Sequence, residues 1–163
     1  MIPPRLRDLT SALLTAELDR IQASSAARAP LAALAGYAIG AAPVDAALVV
    51  SWLREAQATL WPLGATPKAG KVLQGPLRNG EPVTWVGLVL TAANARLALE
   101  RGDLLSFRQI AALASCGARK PWLAQRSGAL GSRRAADVRR WLEILWVAGD
   151  IVAHLFASTT GTD

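Results

Sequence analysis

A single cysteine, Cys116, and a single histidine, His154, remove whole classes of chemistry at once. One thiol closes no internal disulfide, which suits a reducing compartment. One imidazole, with no cluster of thiols or paired carboxylates at ligand spacing, makes no metal centre, so neither a metal nor another cofactor is expected. Long apolar runs are also missing. Residues 46–53 are too short to cross a bilayer, and residues 144–156 are short and carry Asp150 and His154. The opening MIPPRLRDLT lacks the apolar stretch of a secretory signal, so a cytoplasmic protein without membrane association is expected.

Acids are scarce beside bases: 12 Asp and Glu against 18 Lys and Arg, a net charge of +6. The imbalance is local. Across residues 108–140 the bases Arg108, Arg119, Lys120, Arg126, Arg133, Arg134, Arg139 and Arg140 face one acid, Asp137. Such a cluster attracts phosphates or an acidic protein surface, or it is the solvated face of an Arg-rich chain. Apolar residues make up 52% of the 163, enough for a real core and too many for a disordered chain.

Helical spacing recurs along the chain. Leu6, Leu9, Leu13, Leu14, Leu18 and Ile21 predict a first helix, with Arg7, Glu17 and Arg20 on its polar face. SSAARAP predicts a break, followed by a short Ala-rich helix over residues 31–39 that ends near Gly40. Pro43 opens a third helix striped by Val44, Leu48, Trp52, Ala56 and Leu60, and Pro62 stops it. Residues 62–82 are rich in proline and glycine. Asn79 and Gly80 give a turn signal there, about which Val72, Leu73 and Val83 pair as a small hairpin. The stretch GATPKAGK is no phosphate-binding loop: its spacing is one residue too long, Val72 replaces the required Ser or Thr, and no strand precedes it. Thr84 predicts the N-cap of a fourth helix with Trp85, Leu88, Ala92, Ala95 and Leu99 inward, stopped by Gly102.

Residues 103–142 carry the most information. Ser106 and Gln109 form an S-x-x-Q capping box that opens a short helix, with Phe107, Ile110, Ala111, Leu113 and Ala114 inward. Ser115, Cys116 and Gly117 make a tight break. A second short helix runs to about Ser127 on the anchors Trp122 and Leu123, Gly128 ends it, and Leu130 packs back. Two short helices joined by a break containing glycine are the helix-turn-helix signature.

This segment resembles the helix-turn-helix of excisionase-like and MerR-like DNA-binding domains. Their L-[ST]-x-x-[EQ]-[AV]-A opening is matched by Leu105, Ser106, Phe107, Arg108, Gln109, Ile110 and Ala111. Their G-x-L terminus is matched by Gly128, Ala129 and Leu130, and their closing helix by residues 135–142. The resemblance implies duplex DNA as partner, with Ala118, Arg119, Lys120, Gln125 and Arg126 on or beside the recognition helix. Two features depart from the pattern. Pro121 lies inside that helix, and a helix starting at Pro121 leaves Arg119 and Lys120 in the turn. Only Gly131 and Ser132 separate Leu130 from Arg133, so there is no β-wing.

Ser132 predicts the cap of a last helix over residues 133–156, basic at its start and apolar on all sides in its second half. Such a helix is the centre of a bundle or binds a partner. Asp150 and His154 share a helix face, as an acid/base pair or as a structural hydrogen bond. Arg119 and Lys120 are close enough in sequence to lower the Cys116 pKa, against the reading of a small thiol packed in the turn. The six tryptophans sit mostly at helical core positions.

The expected fold is all-α: a helical bundle with an embedded helix-turn-helix and a small β-hairpin in 62–82. Its parts are an N-terminal helical segment over 1–61, the loop or hairpin over 62–82, and the helix-turn-helix region with the C-terminal core helix over 83–163. The chain reads as a non-enzyme. The expected function is a small DNA-binding regulatory or accessory protein of a bacterial mobile element. Arg133, Arg134, Arg139 and Arg140 would dock on phosphates, Arg119, Lys120, Gln125 and Arg126 would enter a groove, and Arg108 is counted with them as nucleic-acid-binding. The rival is a protein-interaction module, a nucleoprotein subunit or an anti-CRISPR-like inhibitor, gripping a protein or RNA–protein partner through the apolar last helix and the basic face. Self-association is left open.

Folding should then need no ligand. EDTA or nucleotide titration is expected to leave the melting temperature unchanged, and a shift of several degrees would reveal a missed site.

Overall fold

The computed structural model describes residues 3–40, 44–60 and 77–149. A 3-10 turn, Leu6–Asp8, leads into α1 (Ser11–Arg20), α2 (Ser25–Ala38) and α3 (Ala46–Leu60). A hairpin of β1 (Leu77–Arg78) and β2 (Glu81–Pro82) precedes α4 (Trp85–Arg101), α5 (Phe107–Leu113), α6 (Arg119–Ser127) and α7 (Ala135–Val147). The architecture is all-α with one two-stranded hairpin.

The centre is α4. Residues on every side of it are buried, including Val86, Leu88, Val89, Leu90, Ala92, Ala93, Leu97 and Leu99. It packs against α1, α2, α3, α5 and α7, and one apolar cluster runs from Leu6 to Leu145. Its predicted stops hold: Thr84 Oγ1 accepts from the Gly87 amide, and Gly102 sits at φ 77°. The last helix was read as either the centre of the bundle or a partner-binding element. Its described part, α7, buries one side (Ala135, Val138, Trp141, Leu142, Leu145) and exposes Ile144 and Val147. It begins at Ala135 rather than Arg133, and it ends at Val147 because Gly149 turns left-handed, φ 79°. Asp150, His154 and the rest of the apolar run lie outside the described residues, as do GATPKAGK, Val72 and Leu73.

Three other expectations shift. The first helix starts late: Leu9 and Thr10 are extended, and the Thr10 hydroxyl accepts from the Leu13 amide to open α1 at Ser11. The break expected at SSAARAP is confined to residues 21–24; α2 starts at Ser25 and runs through the rest of the stretch, with Pro30 buried inside. A proline in a helix interior costs about 3 kcal/mol. Burying Leu31, Leu34 and Tyr37 along the same helix returns about 1.5–3 kcal/mol each, so packing prevails. In α3 the inward stripe is Val49, Leu53 and Ala56, while Leu48 is 46% exposed. The helix is rotated from the reading based on Val44 and Leu48 by its packing against α2 and α4, and Asp45 opens it by accepting from the Ala47 amide. Of the described tryptophans only Trp141 is buried.

The hairpin lies within the expected region and turns on Asn79 and Gly80, both at positive φ (53° and 78°). That is the conformation a two-residue primed turn requires. Its pairs are Leu77 with Pro82 and Arg78 with Glu81.

Glu17, read from sequence as a solvated residue of α1, is bound into the core. Its two carboxylate oxygens accept from the Trp85 and Val86 amides at 2.9 and 2.7 Å, satisfying the open end of α4. Glu17→Ala should therefore destabilise by about 1–3 kcal/mol in urea unfolding. Glu55→Ala, on the exposed side of α3, should stay within about 0.5 kcal/mol. Equal losses would make Glu17 an ordinary surface charge.

Candidate nucleic-acid interface

Helices α5 and α6 are joined by the turn 114–118. The capping box opens α5 as expected: Gln109 N donates to Ser106 Oγ at 3.2 Å, and Ser106 N donates to Gln109 Oε1 at 2.8 Å. Ile110, Ala111, Ala112 and Leu113 are buried. The break is made by Ser115, which adopts φ 53° while the Cys116 amide bonds back to Ala111 O. A non-glycine residue held there needs outside support. It comes from the N-terminal segment: Ser115 Oγ accepts from the Arg7 amide at 3.0 Å, and Ser115 O accepts from Arg7 Nη2 at 2.9 Å.

A second support comes from the hairpin. Glu81 Oε1 accepts from the Ala118 amide at 3.0 Å, and its Oε2 pairs with Arg5 at 3.3 Å. Arg5 also donates to Cys116 O at 2.9 Å. The carboxylate thus caps α6 from outside, where Ala118 has no side chain to do so. Gly117 makes this approach possible, since a Cβ there would meet Glu81 Oε1 at 2.7 Å. Arg5, Arg7 and Glu81 were not legible as site residues. They are 37 to 111 positions from their partners, and no spacing rule connects them.

The helix α6 starts at Arg119, so Arg119 and Lys120 belong to it and Pro121 sits in its first turn. The inward residue is Pro121, with Ala124 half-buried. The expected anchors Trp122 and Leu123 are 40% and 46% exposed, because the side of α6 turned inward is the one that carries Pro121 and Ala124. Arg119, Lys120, Gln125 and Arg126 all face solvent, and the Arg126 guanidinium stacks over the Trp122 ring at 4.9 Å. Gly128 at φ 85° ends the helix, and Leu130, fully buried, donates its amide to Ala124 O at 3.0 Å.

The other basic residues divide into two groups. Arg108 is exposed on α5 with its guanidinium against Gly80 of the hairpin. Arg134 and Arg140 are exposed and Arg139 is half-buried. Arg133 is committed inward, over the Phe107 ring at 5.3 Å and donating to Leu105 O at 3.4 Å. Arg133 and Arg134 lie in an extended segment that pairs with Leu104 and Leu105, which is why α7 starts after them. Ser132 is not the N-cap residue; its hydroxyl donates to Asp137 at 2.5 Å and accepts from the Arg134 amide. Among the described residues, the ion pairs join Glu81 to Arg5, Asp19 to Arg28 and Glu100 to Arg96, leaving Arg119, Arg126, Arg134, Arg139 and Arg140 without a neutralising acid.

A buried polar cluster lies between α2 and α4. The Arg96 side chain, 3% exposed, bonds Glu100 at 3.1 Å and lies 5.2 Å over the Tyr37 ring. The Tyr37 hydroxyl donates to Glu100 Oε2 at 2.7 Å, and burial followed by that bond raises its pKa well above the ordinary value. A cavity of about 20 Å³ between the N-terminal segment, the hairpin and α5 has room for one water. A cleft of about 530 Å³ beside the α1–α2 connection is lined by Glu17 and Thr84, both already bonded to α4 amides. Among the described residues no group of three or more His, Cys, Asp or Glu is placed to hold a metal, and no helix is long and apolar enough to cross a membrane.

Cys116 is a packed thiol. Burial pushes its pKa from 9.0 up to about 11, and Lys120 and Arg5 only partly oppose that. The folded pKa lies above the unfolded one. Its contribution to stability is therefore full below about pH 9 and lost as pH rises through about 11. Alkylation of the folded protein at pH 8 should be slower than that of the urea-unfolded chain, and should accelerate toward pH 11. Equal rates at pH 8 would contradict burial of the thiol.

No protein-family model, no curated protein and no solved structure matches the chain.

Proposed function

We propose that the chain is a small DNA-binding regulatory or accessory protein that docks on duplex DNA through α6. The observation that carries this reading is the outward side of α6. Arg119, Lys120, Gln125 and Arg126 are exposed together on one short helix whose inward side is reduced to Pro121 and Ala124. Arg and Gln read base edges in a major groove, and a helix fits that groove. Arg134, Arg139 and Arg140 supply phosphate contacts alongside. Arg133 is left out of that set because Phe107 and Leu105 hold it. The resemblance to excisionase-like and MerR-like domains agrees with this use and suggests a mobile-element setting.

A second reading rests on α7. Ile144 is 56% and Val147 84% exposed, with Trp146 at 40% beside them. An apolar strip of this kind suits a protein partner, and in that reading the basic face grips an acidic or RNA-bearing surface.

Fluorescence anisotropy with labelled duplex separates the two. Binding should fall linearly in log affinity against log salt as counterions are released. Replacing Arg134, Arg139 and Arg140 with Ala should weaken all sequences alike and flatten the slope. Replacing Arg119, Gln125 or Arg126 should relax sequence preference by about 1–3 kcal/mol per lost base contact. No duplex binding at low salt, with a protein or RNA–protein partner held by the same basic face, would replace the first reading with the second.

A further inference from the structure

We infer that the hairpin of β1 and β2 is a second duplex contact, setting Arg78 on the phosphate backbone beside the start of α6. The inference rests on α6 as the groove-entering helix and extends the interface to a part of the chain far upstream.

The placement follows from three contacts. Glu81 Oε1 lies 3.0 Å from the Ala118 amide, one residue before Arg119. Gly80 lies against the Arg108 guanidinium, so close that a Cβ there would meet Nε at 3.0 Å. Arg78 is the direct partner of Glu81 across the ladder. Directly opposed residues of a ladder project to the same face, about 4.5–5.5 Å apart at Cβ. Arg78 therefore leaves the hairpin on the side that faces the start of α6. It is exposed, as are Asn79, Arg108, Arg119 and Lys120.

The charge arrangement supports a phosphate ligand. The acid opposite Arg78 in the ladder is Glu81, and its oxygens are engaged by Arg5 and the Ala118 amide. Arg78 and Arg108 are in no ion pair among the described residues. A tight primed turn at Asn79 and Gly80 gives the hairpin a fixed tip, and the Glu81 bonds fix its distance from α6. A rigid basic tip beside a groove-entering helix meets the sugar–phosphate backbone that borders the groove. The element missing between Leu130 and Arg133 is thus supplied from residues 77–82, which reach the same helix from its other end.

The test uses the full chain, labelled duplex DNA and two readouts, the salt slope and the hydroxyl-radical footprint. Arg78→Ala should lower the slope by about one phosphate and remove protection at one flank of the footprint, with an unchanged melting temperature. Arg78→Lys should keep the slope, and Arg54→Ala, exposed on α3, should change neither readout. If Arg119→Ala weakens binding while Arg78→Ala leaves slope and footprint intact, the hairpin contact is wrong and α6 remains the interface. If the wild-type chain binds no duplex, both readings fall. If it binds structured RNA instead, with the same loss on Arg78→Ala, the duplex assignment is overturned.

Discussion

A helix buried on every side must have all its polar groups answered from within the protein, and α4 is that helix. Its interior amides are satisfied by its own turns, so the demand falls on its ends. At the start, Thr84 and the two oxygens of Glu17 take the amides of Gly87, Trp85 and Val86. At the finish, Gly102 turns left-handed, and its own amide and that of Asp103 bond back to the last turn. The one charge sunk along its length, Arg96, is met by Glu100 and the Tyr37 ring. Helices α1, α2, α3, α5 and α7 take their places against this axis, and α2 accommodates Pro30 in order to do so.

The same device, a carboxylate capping a helix it does not belong to, recurs at α6. Only Pro121 of that helix is fully buried, so apolar packing by itself holds it weakly. Its position is set at the two ends: Glu81 takes the Ala118 amide at the start, and buried Leu130 bonds Ala124 O at the finish. Arg5 and Arg7 fasten the turn that precedes it. A helix held by its ends keeps most of its surface outside. That is what leaves Arg119, Lys120, Trp122, Gln125 and Arg126 available together, and it links the proposed interface to the N-terminal segment and the hairpin.

Asp137 shows how the basic character of this surface survives. It is the only acid within 108–140, and its carboxylate is turned to the Ser132 hydroxyl. The other nearby carboxylate, Glu81, is turned to Arg5 and a backbone amide. Both carboxylates are engaged by local structure, and neither forms an ion pair with the exposed arginines of α6 and α7.

The sequence by itself determined the local features. The capping box at Ser106 and Gln109, the Thr84 cap, the stops at Gly102 and Gly128, and the turn at Asn79 and Gly80 each depend on residues a few positions apart. Their physics is complete within one helical turn or one hairpin. The all-α class and the two short helices on either side of residues 114–118 follow from the same short-range rules. Only the tertiary structure decided which side of each helix faces inward when the apolar pattern was ambiguous. Val49 replaced Leu48, Pro121 replaced Trp122, and α4 rather than the last helix became the centre. It also decided the roles of Glu17, Glu81, Arg5, Arg7 and Arg133. Their partners lie 28 to 111 residues away, and a carboxylate or guanidinium has the same local spacing whether it meets water or a distant backbone amide or carbonyl.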